Sequence, residues 1–181
     1  MCDHERGAVI WITGLPSSGK TTLARKLEHE FREMGRKVEV LDGDEVRRWL
    51  SPEAGFTRED RERHLRRVAY VSRLLARNGV IVIAAFVSPY RKIRREIRGI
   101  VEEDVPFMEV YVKCPLEVAM NRDPKGLYKR ALRGEISNFT GIDDPFEEPE
   151  SPEVVVDSSR MSPEEEADIV LKAFREVMDD C

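Results

Sequence analysis

Cysteine is scarce in this sequence. There are three in 181 residues, Cys2, Cys114 and Cys181, and no two share a metal-ligand spacing. An odd, scattered set excludes a disulfide framework and reads as reduced thiols. Long apolar runs are missing too. The longest, Val80 to Val87, has the length of a strand and is too short to cross a bilayer. No secretory leader, internal repeat or low-complexity linker can be read. These absences predict a cytoplasmic chain that does not engage membranes. Positive charge is not in excess either: the formal net charge is −5, which argues against a general nucleic-acid binder. An anionic ligand must therefore meet local basic patches.

What is present fits one globular unit. Hydrophobic residues make up 41% and charged residues 36%. A chain of this length buries one good core, so we expect a single domain over residues 1–181. Apolar runs alternate with segments of helical period. Val9 to Thr13 reads as a strand, and Leu23, Leu27, Phe31 and Met34 form a helical stripe closed by Gly35. Val38 to Leu41 reads as a strand, Glu45 to Leu50 as a short helix, and Arg58 to Asn78 as a long basic helix. Val80 to Val87 is apolar on both faces, as a central parallel strand should be. Ser88-Pro89 reads as the start of the next helix, because serine caps and proline fits a first turn. Further strands are expected at Phe107 to Val112 and Val154 to Val156, with short helices at Pro115 to Asn121 and Pro124 to Arg133. Asn138 to Pro152 should be loop, and Ser162-Pro163-Glu164-Glu165 forms a capping box. The pattern is an α/β domain with a parallel sheet and helices on both faces, its chemistry at the carboxyl ends of the strands.

One loop announces its ligand. Gly14-Leu15-Pro16-Ser17-Ser18-Gly19-Lys20-Thr21 matches G-x-x-x-x-G-K-[ST] between a strand and a helix, with Thr22 following. Glycines let several backbone N–H groups point at one anion, and the helix start adds its positive end. Lys20 reaches the outer phosphates and the Thr21 hydroxyl can ligate magnesium. The ligand is a nucleoside triphosphate with Mg2+. No Asn-Lys-x-Asp guanine motif occurs, and a short chain with basic stretches fits a small-molecule kinase.

Three other stretches carry candidates. Asp42 and Asp44 sit at a strand end, where carboxylates can hold magnesium, accept a substrate proton or orient a ribose hydroxyl. Asp44 can instead cap the following helix. Phe56 can stack on a base and Arg61 can clamp a phosphate or sulfate, against the alternative of a hydrophobic staple and a solvated arginine face. Arg122, Lys125, Lys129, Arg130 and Arg133 surround Gly126 in a basic stretch suited to a lid that closes over phosphates and excludes water. Phe139 reads as a solvent-side phenylalanine in a polar loop.

Taken together, DGDEVR, GFTREDR, FVSPYR, RDPKGLYKRA and NFTGIDDPFEEPE, in this order behind the phosphate loop, resemble the adenylylsulfate kinase family from about Ile10 to about Val156. The resemblance implies transfer of a phosphoryl group from ATP to the 3′-hydroxyl of adenosine 5′-phosphosulfate, in sulfate activation. It implies that Lys20, Asp42, Asp44 and Ser88 are catalytic, with Ser88 at the family's active-site serine. By the same resemblance Arg47 and Arg61 bind the phosphosulfate, Phe56 and Phe139 sandwich the acceptor adenine, and Val87 and Lys125 touch the acceptor. Arg122 and Arg130 act from a mobile lid, Thr21 and Asp42 hold the metal, and the chain forms a homodimer. Two departures stand out. The loop reads GLPSSGKT where the family has GLSGAGKS. His64 replaces an asparagine that contacts the acceptor, and a histidine donates with different geometry. The alternatives are another small-molecule kinase with a different acceptor, and a nucleotide-binding sensor without turnover.

Overall fold

A computed structural model describes residues 6–180. Cys2 and Cys181 lie outside the described residues. The chain runs β1 (Ala8–Thr13), α1 (Lys20–Glu33), β2 (Val38–Asp42), α2 (Gly43–Leu50), α3 (Arg58–Ala76), β3 (Ile81–Ala85) and α4 (Arg91–Glu102). It continues through β4 (Phe107–Lys113), α5 (Leu116–Arg122), α6 (Leu127–Leu132), β5 (Val154–Asp157) and α7 (Pro163–Asp179). The sheet is five-stranded, ordered β2-β3-β1-β4-β5, and every pairing is parallel.

Strand periodicity sorts the core into two layers. Ile10 and Ile12 of β1, Ile81 and Ile83 of β3 and Val110 and Val112 of β4 face α1 and α7, where Leu23, Leu27, Val170 and Phe174 cover them. Their neighbours Val9, Trp11, Val82 and Ala84 face α3 and α4, against Leu65, Val68, Ile93 and Ile97. Strands buried on both faces read as continuous apolar runs, which is why the sequence pattern was visible. A third, smaller cluster of Cys114, Ala119, Tyr128, Ala131 and Phe139 lies beneath α5 and α6.

Chain order reverses at β1: β3 and β2 lie on one side, β4 and β5 on the other. A crevice opens at the carboxyl ends of strands at such a reversal. The loops after β1, β2 and β3 therefore converge on one place. β3 is an interior strand as expected, but β1 holds the centre.

The expected helix start at Ser88-Pro89 is not what forms. α4 begins at Arg91, its N-cap position is Tyr90, and Ser88 has a φ of 40°. Ser88 is bound inward to Trp11 and Thr13, so the chain leaves β3 in a bend before the helix can begin. Asp44 does not cap α2 either. The N-cap position is Asp42, which makes no side-chain capping bond, and Asp44 lies within the first turn. The basic stretch from Arg122 to Arg133 holds the last residue of α5, a turn and α6, which begins at Leu127 and not at Pro124; in the turn Asp123 accepts from the Tyr128 and Lys129 N–H groups at 3.1 and 3.2 Å. The capping box at Ser162 forms in full, with proline in the first turn of α7.

Candidate active site

The phosphate loop leaves β1 at Thr13 and enters α1 at Lys20. Gly14 has no room for a side chain: a Cβ there would lie 2.7 Å from the Val112 carbonyl oxygen and 2.8 Å from Ser18 Oγ. Gly19 sits at a φ of 102°, a left-handed geometry that favours glycine, at the N-cap of α1. Ser17 shares the left-handed region at 63°. Lys20 Nζ folds back over the loop and donates to the carbonyls of Gly14 (3.1 Å) and Leu15 (2.7 Å). Burial pushes its ammonium down to about 8, against the opposing pull of the Asp42 carboxylate. The loop is held from outside. Tyr128 Oη donates to the Pro16 carbonyl at 2.8 Å, and Ser158 Oγ donates to the Ser18 carbonyl at 2.6 Å. The Ser18 hydroxyl itself is buried and has no partner among the described residues. Thr22 is exposed on the first turn of α1.

Asp42 ends β2 beside this loop. The Thr21 hydroxyl donates to Asp42 Oδ2 at 2.6 Å, which joins two of the residues expected at the metal. No group of three or more His, Cys, Asp or Glu residues able to hold a metal occurs among the described residues. The hydroxyl and carboxylate oxygens fit magnesium, a hard cation that takes one or two protein ligands and fills its remaining positions with water and phosphate oxygens. Asp44 is exposed on the first turn of α2.

On the far side, α2, the loop after it and α3 bring cations and one aromatic together. The Arg47 guanidinium lies 4.7 Å from the Phe56 ring centroid and donates to the Ala54 and Gly55 carbonyls. Burial and the nearby Arg61 both disfavour its charge. Phe56 is 62% exposed. Arg61 donates to the Asn138 carbonyl, to Thr140 Oγ1 (3.3 Å) and to Asp144 Oδ2 (3.4 Å). Asp144 also accepts from Tyr90 Oη. His64 lies inside the fold. It is 3% exposed, with Nδ1 2.9 Å from Ser51 Oγ and its ring edge-on to Phe86. Burial, reinforced by Arg47 and Arg67, pushes its imidazole down to about 4.

Ser88 is brought to the crevice, but its hydroxyl is turned into the protein. It accepts from Trp11 Nε1 at 3.1 Å and lies 3.1 Å from Thr13 Oγ1 and 3.0 Å from the Phe86 carbonyl. Thr13 Oγ1 donates to the Val87 carbonyl at 2.6 Å, tying the end of β3 to β1. Arg94, nearly fully buried, donates to the Ser88 carbonyl at 2.6 Å.

The remaining predicted residues divide. Arg122 reaches the phosphate loop region, donating to Ser158 Oγ (3.1 Å) and to its carbonyl (2.7 Å). Lys125 is exposed, yet close enough for its charge to act on Lys20. Arg130 is exposed and pairs with Glu135 at 3.3 Å, outside these contacts. Phe139 is not solvent-side. It is 8% exposed and packs edge-on against Tyr128, 5.0 Å between centroids, while Phe56 meets Arg47. Sequence reasoning missed Thr13, Ser51, Tyr128, Asp144 and Ser158. Thr13 and Ser158 follow the strand-end rule, and Asp144 lies inside a motif already noted. Tyr128 likewise lies inside a noted stretch, RDPKGLYKRA, and Ser51 carries no local signal.

A parallel sheet with a filled G-x-x-x-x-G-K-T loop at its reversal point and a hydroxyl–carboxylate pair beside it defines a P-loop nucleotide-binding enzyme of the kinase type. Comparison with known proteins narrows the class. The profile of the family described as Adenylylsulphate kinase matches residues 6–157, and the chain belongs to that family. It is 59% identical over 155 residues to a probable adenylyl-sulfate kinase of Aeropyrum pernix, covering 85% of each chain. It is 54% identical over 153 residues to an adenylyl-sulfate kinase of Myxococcus xanthus, covering 84% of this chain and 82% of that one. Among solved structures, it matches the Mycobacterium tuberculosis APS kinase CysC in complex with AMPPNP and APS. The TM-score is 0.91 at 38% identity, over 94% of this chain and 98% of the other. No helix among the described residues is long and apolar enough to cross a membrane.

Proposed function

We propose that this chain transfers the γ-phosphoryl group of ATP to the 3′-hydroxyl of adenosine 5′-phosphosulfate, giving 3′-phosphoadenosine 5′-phosphosulfate and ADP. The family carries this reading. One observation fits it to the geometry: the Thr21–Asp42 hydrogen bond joins the phosphate-loop motif to the end of β2, from which the chain runs directly into α2 and Arg47. Donor and acceptor halves thus meet at one carboxylate.

In this reading Lys20 swings from the Gly14 and Leu15 carbonyls to the β- and γ-phosphates, beside the N–H groups of residues 14–22. Thr21 and Asp42 would hold magnesium, which when bound would supply charge neutralisation at the phosphates. Asp42 or Asp44 orients the acceptor hydroxyl. A loose transition state asks for position and charge more than for a strong base. Arg47 and Arg61 take the phosphosulfate. Phe56 and Phe139 grip the purine, which requires Phe139 to turn out of its contact with Tyr128. Val87 borders the acceptor. Lys125 and Arg122 supply charge from the lid side, with Arg130 joining on closure, and closure excludes water. Ser88 serves as the pin that holds Phe86 and Val87 against β1, and not as a phosphoryl carrier. A cytoplasmic homodimer is the assembly we propose, to be checked by light scattering.

The test is magnesium-dependent ADP release from ATP with adenosine 5′-phosphosulfate, with AMP, shikimate and gluconate run alongside. Release with the phosphosulfate alone is expected. Release with another acceptor, or tight nucleotide binding without release, refutes the assignment.

A further inference from the structure

We infer that Ser51 and Arg67 fix His64 in a single tautomer, so that its Nε2–H is the hydrogen-bond donor offered to a lone pair of the acceptor nucleotide. The proposal rests on the reading of the α2–α3 side as the acceptor site.

The argument is one of proton counting. Ser51 follows α2 and is 2% exposed, so its hydroxyl must find partners within the protein. Arg67 Nη1 donates to Ser51 Oγ at 3.2 Å and to the Leu50 carbonyl at 2.9 Å. A guanidinium has donors only, so Ser51 Oγ accepts there. The serine's own proton then has one recorded acceptor, His64 Nδ1 at 2.9 Å. A neutral imidazole carries one N–H, and with Nδ1 accepting, that hydrogen sits on Nε2. The same Nη1 also meets Glu53 Oε1 at 2.6 Å, so its two hydrogens serve three acceptors and the bond to Ser51 is a shared, longer one; the serine's proton is placed by His64 Nδ1 being its one acceptor.

The ring stays neutral for reasons visible around it. It is buried, and Arg47 from α2 and Arg67 from α3 both oppose a further positive charge, with Glu53 the one carboxylate acting against them. The two ring nitrogens point apart, so Nε2 faces away from Ser51. No protein partner is recorded for it among the described residues, and it is not among the sealed side-chain atoms that lack one. The ring meets Phe86 edge-on at 5.8 Å, where β3 gives way to Val87 and Ser88. The ring lies against Phe86 and within the electrostatic reach of Arg47, on the side of the fold where the acceptor is expected. An asparagine amide would donate without any need for tautomer control. A histidine needs Ser51 and Arg67, which makes them positioning residues.

Two measurements on the full chain test this. Long-range 15N–1H correlation near neutral pH should show His64 as the Nε2–H tautomer with an unprotonated, hydrogen-bonded Nδ1, assigned by its loss in His64→Asn. An Nδ1–H signal in the unaltered protein overturns the proposal, and that result needs neither a variant nor turnover. In kinetics, Ser51→Ala should raise the acceptor KM about threefold to tenfold, the scale of one hydrogen bond, with kcat within about twofold. In the His64→Asn background the same change should move KM less than about twofold, because no tautomer remains to be fixed. Equal penalties in both backgrounds would show that Ser51 only packs. Failure of the unaltered protein to use the phosphosulfate would sink the acceptor reading, while the tautomer measurement would still stand by itself.

Discussion

At the scale of single residues, protonation and satisfaction decide what each group contributes. Burial pushes the Lys20 ammonium down to about 8 where it lies against the loop carbonyls, and contact with polyphosphate should restore its charge. Nucleotide binding above pH 8 must then take up a proton, and affinity should fall by up to about tenfold per pH unit there. Calorimetry in two buffers of different ionisation enthalpy would read that uptake, and Lys20→Ala should abolish it along with about a hundredfold or more of turnover. His64 shifts the other balance. Its unfolded imidazole titrates near 6.5 and its folded one near 4, so the folded state binds fewer protons between those values. The stability it contributes is full above 6.5 and is lost as the pH falls towards 4. Urea midpoints taken through this range should drop more for the natural chain than for His64→Asn; parallel profiles would disprove the shift. Ser18 is the reverse case. A buried hydroxyl without a partner costs about 1–3 kcal/mol. Ser18→Ala, which restores the alanine of the family's loop pattern, should therefore raise the midpoint of chemical denaturation.

Elements owe their positions to contacts that span the sequence. α4 is held by three of its arginines against the loop before β5. Arg94 donates to the Glu147 carbonyl, Arg91 Nε to the Glu148 carbonyl at 2.7 Å, and Arg98 to both carboxylate oxygens of Glu153 at 2.7 and 2.8 Å. Arg94 is the critical member, because it also holds the Ser88 carbonyl and lies 3.7 Å from the buried Glu109 carboxylate. Arg94→Met removes one partner of a buried pair and should cost about 3–5 kcal/mol, measured by denaturation near neutral pH. Glu109 can escape by protonation, since burial already raises its pKa, so the loss should be smaller in mild acid. The acidic loop 147–153 was readable as a proline-interrupted acidic segment. That it is strapped to α4, and through Arg94 to the end of β3, was not, because these partners lie more than fifty residues apart.

At the scale of the molecule, the order β2-β3-β1-β4-β5 brings the three loops after β1, β2 and β3 to one crevice. Ligand binding there should be felt globally. Mg–ATP at a hundred times its dissociation constant should stabilise the fold by about 2.7 kcal/mol, read as a rise in Tm that Lys20→Ala loses. The sequence by itself determined the layered α/β fold, since apolar strands and amphipathic helices each show a period of their own. It determined the phosphate loop too, because that site is built from consecutive residues and its glycines, lysine and hydroxyl act through local backbone geometry. Only the tertiary structure decided the fate of side chains whose partners are remote. Ser88 reads as a helix cap from its neighbours, yet Trp11 and Thr13, more than seventy residues away, turn its hydroxyl inward. Phe139 reads as exposed among polar residues, yet Tyr128 buries it. His64 sits among charged residues, Asp60 to Arg67, that give no sign of burial, yet Ser51 and Phe86 enclose it. A local pattern fixes backbone state because its hydrogen bonds are local. Burial and proton placement belong to whichever side chains the fold carries in from elsewhere, and no window along the chain contains them.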